Sequence, residues 1–405
     1  MEEPPELQIP GIVHPLKLFD IAKNEKRLLY TSAPMVRYSK LAFRQTVHAY
    51  GTDLCWTPMI LAKEFNRNRL ARDSDFTVST VAPQPPTVVQ FGANVPQELA
   101  RAASLAAPFC SGVDLNCGCP QSWACAETLG AALMERRELV RDMVVETRDQ
   151  LRRDGWAVGK DSDMDHPKGR SVSVKIRVHK DVRKTIDFIT TVLGPEQDRH
   201  IDFLTIHPRT RQTPSSIPIN LEALEVLTST FGDKVPILLS GDVFAMDALP
   251  FTSPLLPSSS SSSTITTNTA PKGTATTTTE TPDLNPPMLK NLPKLRGLMS
   301  ARALLRNPAL YAGHSTCPWS AVEDFLYFAA RAPLPYKLLL HHVAEMCGPG
   351  MGPDKRALLT RAERAELLEC GNVLDLLDFL EEKKGGIRTR SEGLRGGWQG
   401  KGKYE

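Results

Sequence analysis

Short apolar runs alternate with helical stretches up to residue 300, and that alternation sets the expected fold. The strand-like runs are 27–35, 53–60, 87–92, 112–117, 171–178, 202–207, 235–240 and 295–300. Several are apolar without a polar alternate, as in Val235-Pro236-Ile237-Leu238-Leu239, which suits parallel strands covered on both faces. Helical segments are expected between them. The segment 39–50 starts at Ser39, a good N-cap, and stops at Gly51; 96–106 opens on Pro96; 135–154 is long and amphipathic and stops at Gly155; 185–193 and 221–231 follow. Eight strands alternating with helices predict a (β/α)8 TIM barrel. A doubly wound sheet is the weaker alternative, because no Gly-x-Gly-x-x-Gly follows the first strand.

Two stretches interrupt the pattern. Residues 157–170 form a polar insertion before the fifth strand. Residues 252–290 are dominated by Ser, Thr and Pro, with six serines in a row at 258–263, and cannot bury enough apolar surface to offset ordering. A disordered loop between the seventh and eighth strands is expected there. After residue 319 the strand pattern ends, and 322–332, 335–347 and 361–382 read as amphipathic helices. The organisation is thus an N-terminal lead (1–26), a barrel (27–318), an all-helical domain (319–382) and a basic, disordered tail (383–405).

Composition narrows the class. The chain has 405 residues, 41% hydrophobic and 23% charged, as in ordinary globular proteins. A net charge of +3 excludes a chain that binds nucleic acid as a uniform polycation, although the Gly-rich tail is locally basic. The eight cysteines form no disulfide framework, the acidic start Met-Glu-Glu-Pro-Pro-Glu resembles no leader, and no apolar run approaches the roughly 20 residues of a membrane span. A cytoplasmic or nuclear monomer with free thiols is expected, without a membrane partner. Cys117, Cys119 and Cys125 lack the paired spacing of a zinc site and have no nearby histidine, so no metal is expected.

Barrels of this class gather their chemistry where the strands end. Those ends carry Ala33-Pro34-Met35-Val36, Gln90, Asn116 to Cys119, Lys175-Ile176-Arg177, His207, Ser240-Gly241-Asp242 and Ala301-Arg302. Each has a bland reading: Cys119 as a buried structural thiol, Lys175 as a surface lysine, His207 as a core histidine, Ser240-Gly241-Asp242 as a turn. Together they describe a mouth with a thiol, a cation, an amide, an imidazole, a glycine turn and a final arginine. Backbone N–H groups at a glycine turn plus an arginine suit a phosphate, while a lysine and a glutamine suit a pyrimidine-like ring edge. Flavin mononucleotide (FMN) carries both.

In order, the motifs are Ala33-Pro34-Met35, Phe43-Arg44, Gln90-Phe91-Gly92, Asp114-Leu115-Asn116-x-Gly118-Cys119-Pro120, Val174-Lys175-Ile176-Arg177, His207-Pro208-Arg209-Thr210, Gly241-Asp242 and Ala301-Arg302. Over nearly the whole chain this order resembles the tRNA-dihydrouridine synthases. Gln121, Trp123-Ala124-x-Ala126, Pro335-Tyr336 and His341-His342 are most similar to the eukaryotic subfamily acting at positions 20a and 20b of the D-loop. The resemblance implies an FMN enzyme driven by NADPH, with hydride going to C6 of a tRNA uracil and Cys119 protonating C5. It implies flavin contacts from Pro34, Met35, Val36, Gln90, Lys175, His207, Ser240, Gly241, Asp242, Ala301 and Arg302, substrate contacts from Asn116 and Arg177, and a helical domain that grips tRNA. The sequence departs from the family pattern at Ser240, at Ala301 and at Thr57-Pro58-Met59. Two rivals remain at this point: a flavin barrel reducing a free pyrimidine, of the dihydroorotate or dihydropyrimidine dehydrogenase kind, and a barrel that binds tRNA without reducing it.

Overall fold

The computed structural model describes residues 11–79, 83–159, 164–246 and 292–384. The stretch 252–290, the first ten residues of the lead and the tail beyond 384 lie outside the described residues. Nine strand segments build one parallel sheet: β1 (Leu29–Ser32), β2 (Leu54–Trp56), β3 (Ile60–Leu61), β4 (Thr87–Gly92), β5 (Gly112–Cys117), β6 (Ser171–Ile176), β7 (Phe203–Ile206), β8 (Ile237–Ser240) and β9 (Gly297–Ser300). β2 and β3 are two pieces of one stave: both pair with β4, and the ladder breaks between them at Thr57-Pro58-Met59, where Pro58 has no N–H to donate. β1 pairs with β2 on one side and β9 on the other, so eight staves close into the expected barrel and the doubly wound alternative falls.

Several strands are shorter than the apolar runs. Past Ser32, Ala33 N still donates to Ser300 O, but Pro34 has no N–H and Met35 N turns to Ser39 Oγ; past Ile176, Val178 N donates to Arg209 O. At the other end of the strands Gly297 allows the closing approach. A Cβ there would stand 2.3 Å from a Leu238 methyl and 2.7 Å from Leu29 O, so β8, β9 and β1 meet only over a bare Cα.

The helices among the strands are α1 (Pro15–Asn24), α2 (Leu41–Ala49), α3 (Ala62–Arg67), α4 (Arg69–Asp75), α5 (Pro96–Ala106), α6 (Ser122–Ala126), α7 (Arg137–Arg153), α8 (Val182–Leu193), α9 (Leu221–Phe231) and α10 (Arg302–Arg306). The strand–helix alternation does not reveal α1, which lies in the lead. It begins on Pro15 with His14 Nδ1 accepting from Leu16 N, and sends Phe19 against Phe203 (5.7 Å), whose ring meets Trp56 edge-on at 6.0 Å. Arg296, just before β9, donates to Phe19 O. α1 therefore plugs the end where the strands begin and leaves their C-terminal ends as the open mouth. α8 starts three residues before the expected 185, because Asp181 caps it.

Four more helices follow: α11 (Trp319–Arg331), α12 (Tyr336–Met346), α13 (Arg361–Leu368) and α14 (Val373–Lys384). The single helix expected over 361–382 is broken, since Asn372 Oδ1 accepts from Leu374 N and Asp375 N and starts a new helix after Gly371. These helices are fastened to α2. Tyr50 Oη donates to Asp324 Oδ2 and accepts from the Ser320 hydroxyl, and the His342 ring sits 4.8 Å from Phe325 and 5.6 Å from Phe43. Burial pushes His342 down to about 3, so it packs there as a neutral aromatic plate.

Gly297→Ala should lower the unfolding free energy by about 1–3 kcal/mol, the usual cost of overpacking a closed core. Urea unfolding of the purified protein reads this directly, and an unchanged midpoint would mean that the barrel closes with slack at β9.

Candidate active site

The mouth is organised by a chain of polar groups that begins in the barrel wall. Asp114 on β5 is 1% exposed, and burial pushes its carboxyl up to about 6 against hydrogen bonds from Gln90 and Ser173. A carboxylate only accepts, so the Gln90 amide nitrogen must face it (2.8 Å). That orientation leaves Gln90 Oε1 to accept from Asn116 Nδ2 (2.8 Å), and Asn116 Oδ1 to accept from Gly118 N (3.0 Å) and Cys119 N (2.9 Å). The loop beyond is held by its carbonyls: Arg177 Nε donates to Gly118 O (2.8 Å) and Ala131 N to Cys119 O (2.8 Å). Cys119 is thereby fixed yet partly exposed, while Cys117 is buried.

Opposite Asn116 in register stands Lys175 on β6, half-buried and without a hydrogen bond among the described residues. Burial first, then the neighbouring Arg177, pulls its ammonium down to about 8, with Asp114 and Cys119 acting the other way. His207, after β7, is pushed down to about 2, first by burial and then by Lys175, Arg177, Arg209 and Arg302. It is neutral. Arg209 Nη1 approaches its Nε2 at 3.0 Å, and since arginine only donates, Nε2 is the acceptor and Nδ1 carries the proton.

The turn after β8 shares this region. Gly241 has φ +108°, and a Cβ on it would meet the His207 ring at 2.8 Å. Asp242 is also left-handed (φ 56°), and its carboxylate is spent within the protein on Arg209 Nη2 (2.6 Å) and Ile219 N (2.9 Å). Ser240 ends β8, buried, and Ser300 Oγ donates to Val243 O, tying the end of β9 to the same loop. Beyond Ala301, Arg302 is exposed, with no hydrogen bond or ion pair among the described residues. At β1, the Ser39 hydroxyl accepts from Met35 N and donates to Ala33 O. It is therefore a clamp on the Pro34-Met35-Val36 loop and not the cap of α2, which starts at Leu41. Val36 is exposed at that loop's tip.

The mouth thus gathers Gln90, Asn116, Cys119, Lys175, Arg177, His207, Gly241 and Arg302 within mutual hydrogen-bond or electrostatic reach. Three expected contact residues have their polar groups committed elsewhere. Asn116 and Arg177 hold the cysteine loop, Arg177 Nη1 also taking Thr210 O at 2.8 Å, and Asp242 holds Arg209. Three residues went unassigned in the sequence: Asp114 and Arg209, although both lie inside recognised runs, and Ser39, whose helix-capping signature conceals its role. Lys175 and Arg302 make no side-chain hydrogen bond or ion pair among the described residues, and the charges that bear on the buried His207 are positive. Those features fit an anionic, phosphate-bearing cofactor such as FMN.

A family model described as dihydrouridine synthase matches residues 31–251. The chain is 34% identical over 370 residues to tRNA-dihydrouridine(20a/20b) synthase [NAD(P)+] of Schizosaccharomyces pombe, covering 91% of each. It is 33% identical to the protein of the same name from Saccharomyces cerevisiae, over 89% of this chain and 81% of that one. The human tRNA-dihydrouridine(20a/20b) synthase [NAD(P)+]-like protein is 30% identical, over 92% and 94%.

Because Lys175 titrates near 8 and is charged below that value, FMN affinity should hold up to about pH 8 and weaken as the pH rises through it. Fluorescence titration of the apoprotein from pH 7 to 9.5 measures this. Lys175→Arg, charged throughout, should flatten the profile; identical profiles would remove Lys175 from the flavin contact.

Proposed function

This chain belongs to the dihydrouridine synthase family, and on that premise we propose that it reduces the C5–C6 double bond of uridines 20a and 20b in the D-loop of tRNA, with FMN as cofactor and NADPH as electron donor. The observation that carries the reading is the Cys119 thiol, partly exposed, backbone-anchored on both sides and electrostatically coupled to Lys175, whose ammonium makes no hydrogen bond among the described residues. When bound, FMN supplies the hydride that ends on C6 and draws its electrons from NADPH.

The protein's own groups divide the remaining work. Cys119 gives its proton to C5: the S–H bond breaks, a C–H bond forms, and solvent reprotonates the thiolate. Lys175 holds positive charge beside the flavin ring, and His207 offers its Nδ1–H while staying neutral. The Gly241 turn and Arg302 take the phosphate, with Ser240 and Ala301 as the adjacent backbone. Pro34, Met35 and Val36 line the ring, and Gln90 presents the part of its amide that Asp114 and Asn116 leave over. Asp242 acts through Arg209, and Asn116 and Arg177 through the cysteine loop, as positioning residues. The uracil must leave its stack to reach this depth, at a few kcal/mol that an unpaired loop base lowers. Helices α11–α14 are assigned to gripping the tRNA, which a reductase of free pyrimidines would not need. A place of action in the cytoplasm or nucleus, and a monomeric enzyme, complete the reading.

The test is reconstitution. Purified protein with FMN and NADPH should convert uridine 20a or 20b of unmodified tRNA to dihydrouridine and leave free uridine and uracil unreduced. Reduction of the free base at a comparable kcat/KM would transfer the chain to the small-molecule reductases.

A further inference from the structure

Beside the cysteine loop the mouth opens into a groove of about 800 Å³. Arg177 and Ala131 belong to its wall, and these are the residues that hold Gly118 O and Cys119 O. The groove and the thiol therefore share one wall. Six cationic and two acidic side chains line the groove, and they come from separate segments. Arg136 precedes α7, Lys180 and Lys184 flank the start of α8, and Arg211 follows β7. All four are exposed.

The two acids do not neutralise these cations. Asp181 caps α8 by accepting from Arg183 N and pairs with the Arg183 guanidinium at 2.9 Å. Glu135 lies 3.7 Å from His179 Nε2. The side chains of Arg136, Lys180 and Arg211 make no hydrogen bond or ion pair among the described residues, and that of Lys184 is met by the field of Asp181. Elsewhere on α7 the arginines have carboxylates: Arg137 has Glu138, Arg141 has Asp142 and Arg152 has Asp149. Four of the six cations that line the groove, Arg136, Lys180, Lys184 and Arg211, thus have no carboxylate in ion-pair contact among the described residues. No Phe, Tyr or Trp side chain lines it, and its one imidazole, His179, is held through both ring nitrogens by Thr185 Oγ1 and Met134 O; what the groove offers is spaced positive charge.

We infer that this groove seats backbone phosphates of the RNA strand adjoining the reduced uridine, so that the strand leaves the mouth past Cys119 along Arg136, Lys180, Lys184 and Arg211. The inference rests on the proposed reduction of tRNA and adds where the strand runs. Contacts of this kind act through counterion release, with a slope in log affinity against log salt of about 0.7 per phosphate on a single strand. They position the strand without reading its sequence.

The holoenzyme carries the test, with two double variants, Lys180→Ala with Arg211→Ala and Arg136→Ala with Lys184→Ala. Each pair should weaken tRNA binding about tenfold or more at low salt and flatten the salt dependence by about 1.4 in slope, two phosphate contacts' worth. Reduction of the flavin by NADPH in the absence of tRNA should keep its wild-type rate. Wild-type affinity and slope in both pairs would overturn the inference. So would slowed flavin reduction with intact tRNA binding, which would give the groove to the coenzyme's phosphates. If wild-type holoenzyme forms no dihydrouridine while the pairs still lose salt-sensitive tRNA binding, the proposed reaction fails and the phosphate groove stands.

Discussion

The carboxylate of Asp114 cannot stand alone inside the barrel wall, and the way it is satisfied decides where Cys119 stands. Leaving a buried carboxylate unpaired costs several kcal/mol, so donors must surround it. Ser173 and Gln90 do so. Gln90 then has only one way to face, Asn116 only one way to answer it, and the remaining acceptor of Asn116 captures two successive N–H groups of the cysteine loop. A residue deep in β5 thus sets the backbone of Cys119, two positions beyond the end of the same strand. Flexible loops do not hold a proton donor to the accuracy that transfer to carbon demands; a relay anchored in the sheet does.

The second constraint is electrostatic. Lys175, Arg177, Arg209 and Arg302 all bear on His207, and among them only Arg209 has a buried carboxylate partner, Asp242. Burial first, and the positive charges around it second, keep His207 neutral. A mouth of that sign favours anions: a phosphate at the Gly241 turn, a negative ring beside Lys175, and, further out, the backbone of an RNA. The net charge of +3 hides this concentration, because over the whole chain 46 Asp and Glu nearly balance 49 Lys and Arg.

Much of this was legible in the sequence, for reasons that differ by residue. Parallel strands buried on both faces write continuous apolar runs, so the eight staves and their mouth could be located. Thr87–Gly92 and Gly112–Cys117 even keep their ends, since β6 pairs with every residue of β5 and β2, β5 and β3 between them cover β4 from end to end. Helix α1 was not visible, because its role depends on a plug contact with Phe203 that lies far away in sequence. The single helix expected at 361–382 hid a cap at Asn372. In the site, residue types near strand ends announced a cofactor mouth, but not which groups would be consumed in holding others. Asn116, Arg177 and Asp242 read as ligand contacts, and the fold also uses them to brace the cysteine loop and Arg209, a use that the motif does not reveal because a side chain's hydrogen-bond partners are a property of the fold.

The central claim is that Cys119, so held, is the source of the proton on C5. Reduced holoenzyme mixed rapidly with excess tRNA isolates that step, with flavin oxidation followed by absorbance in a single turnover. Cys119→Ala should slow this phase by about 100-fold or more, the usual worth of a positioned general acid, while tRNA affinity and FMN content stay at wild-type values. Oxidation at the wild-type rate in that variant would contradict the account.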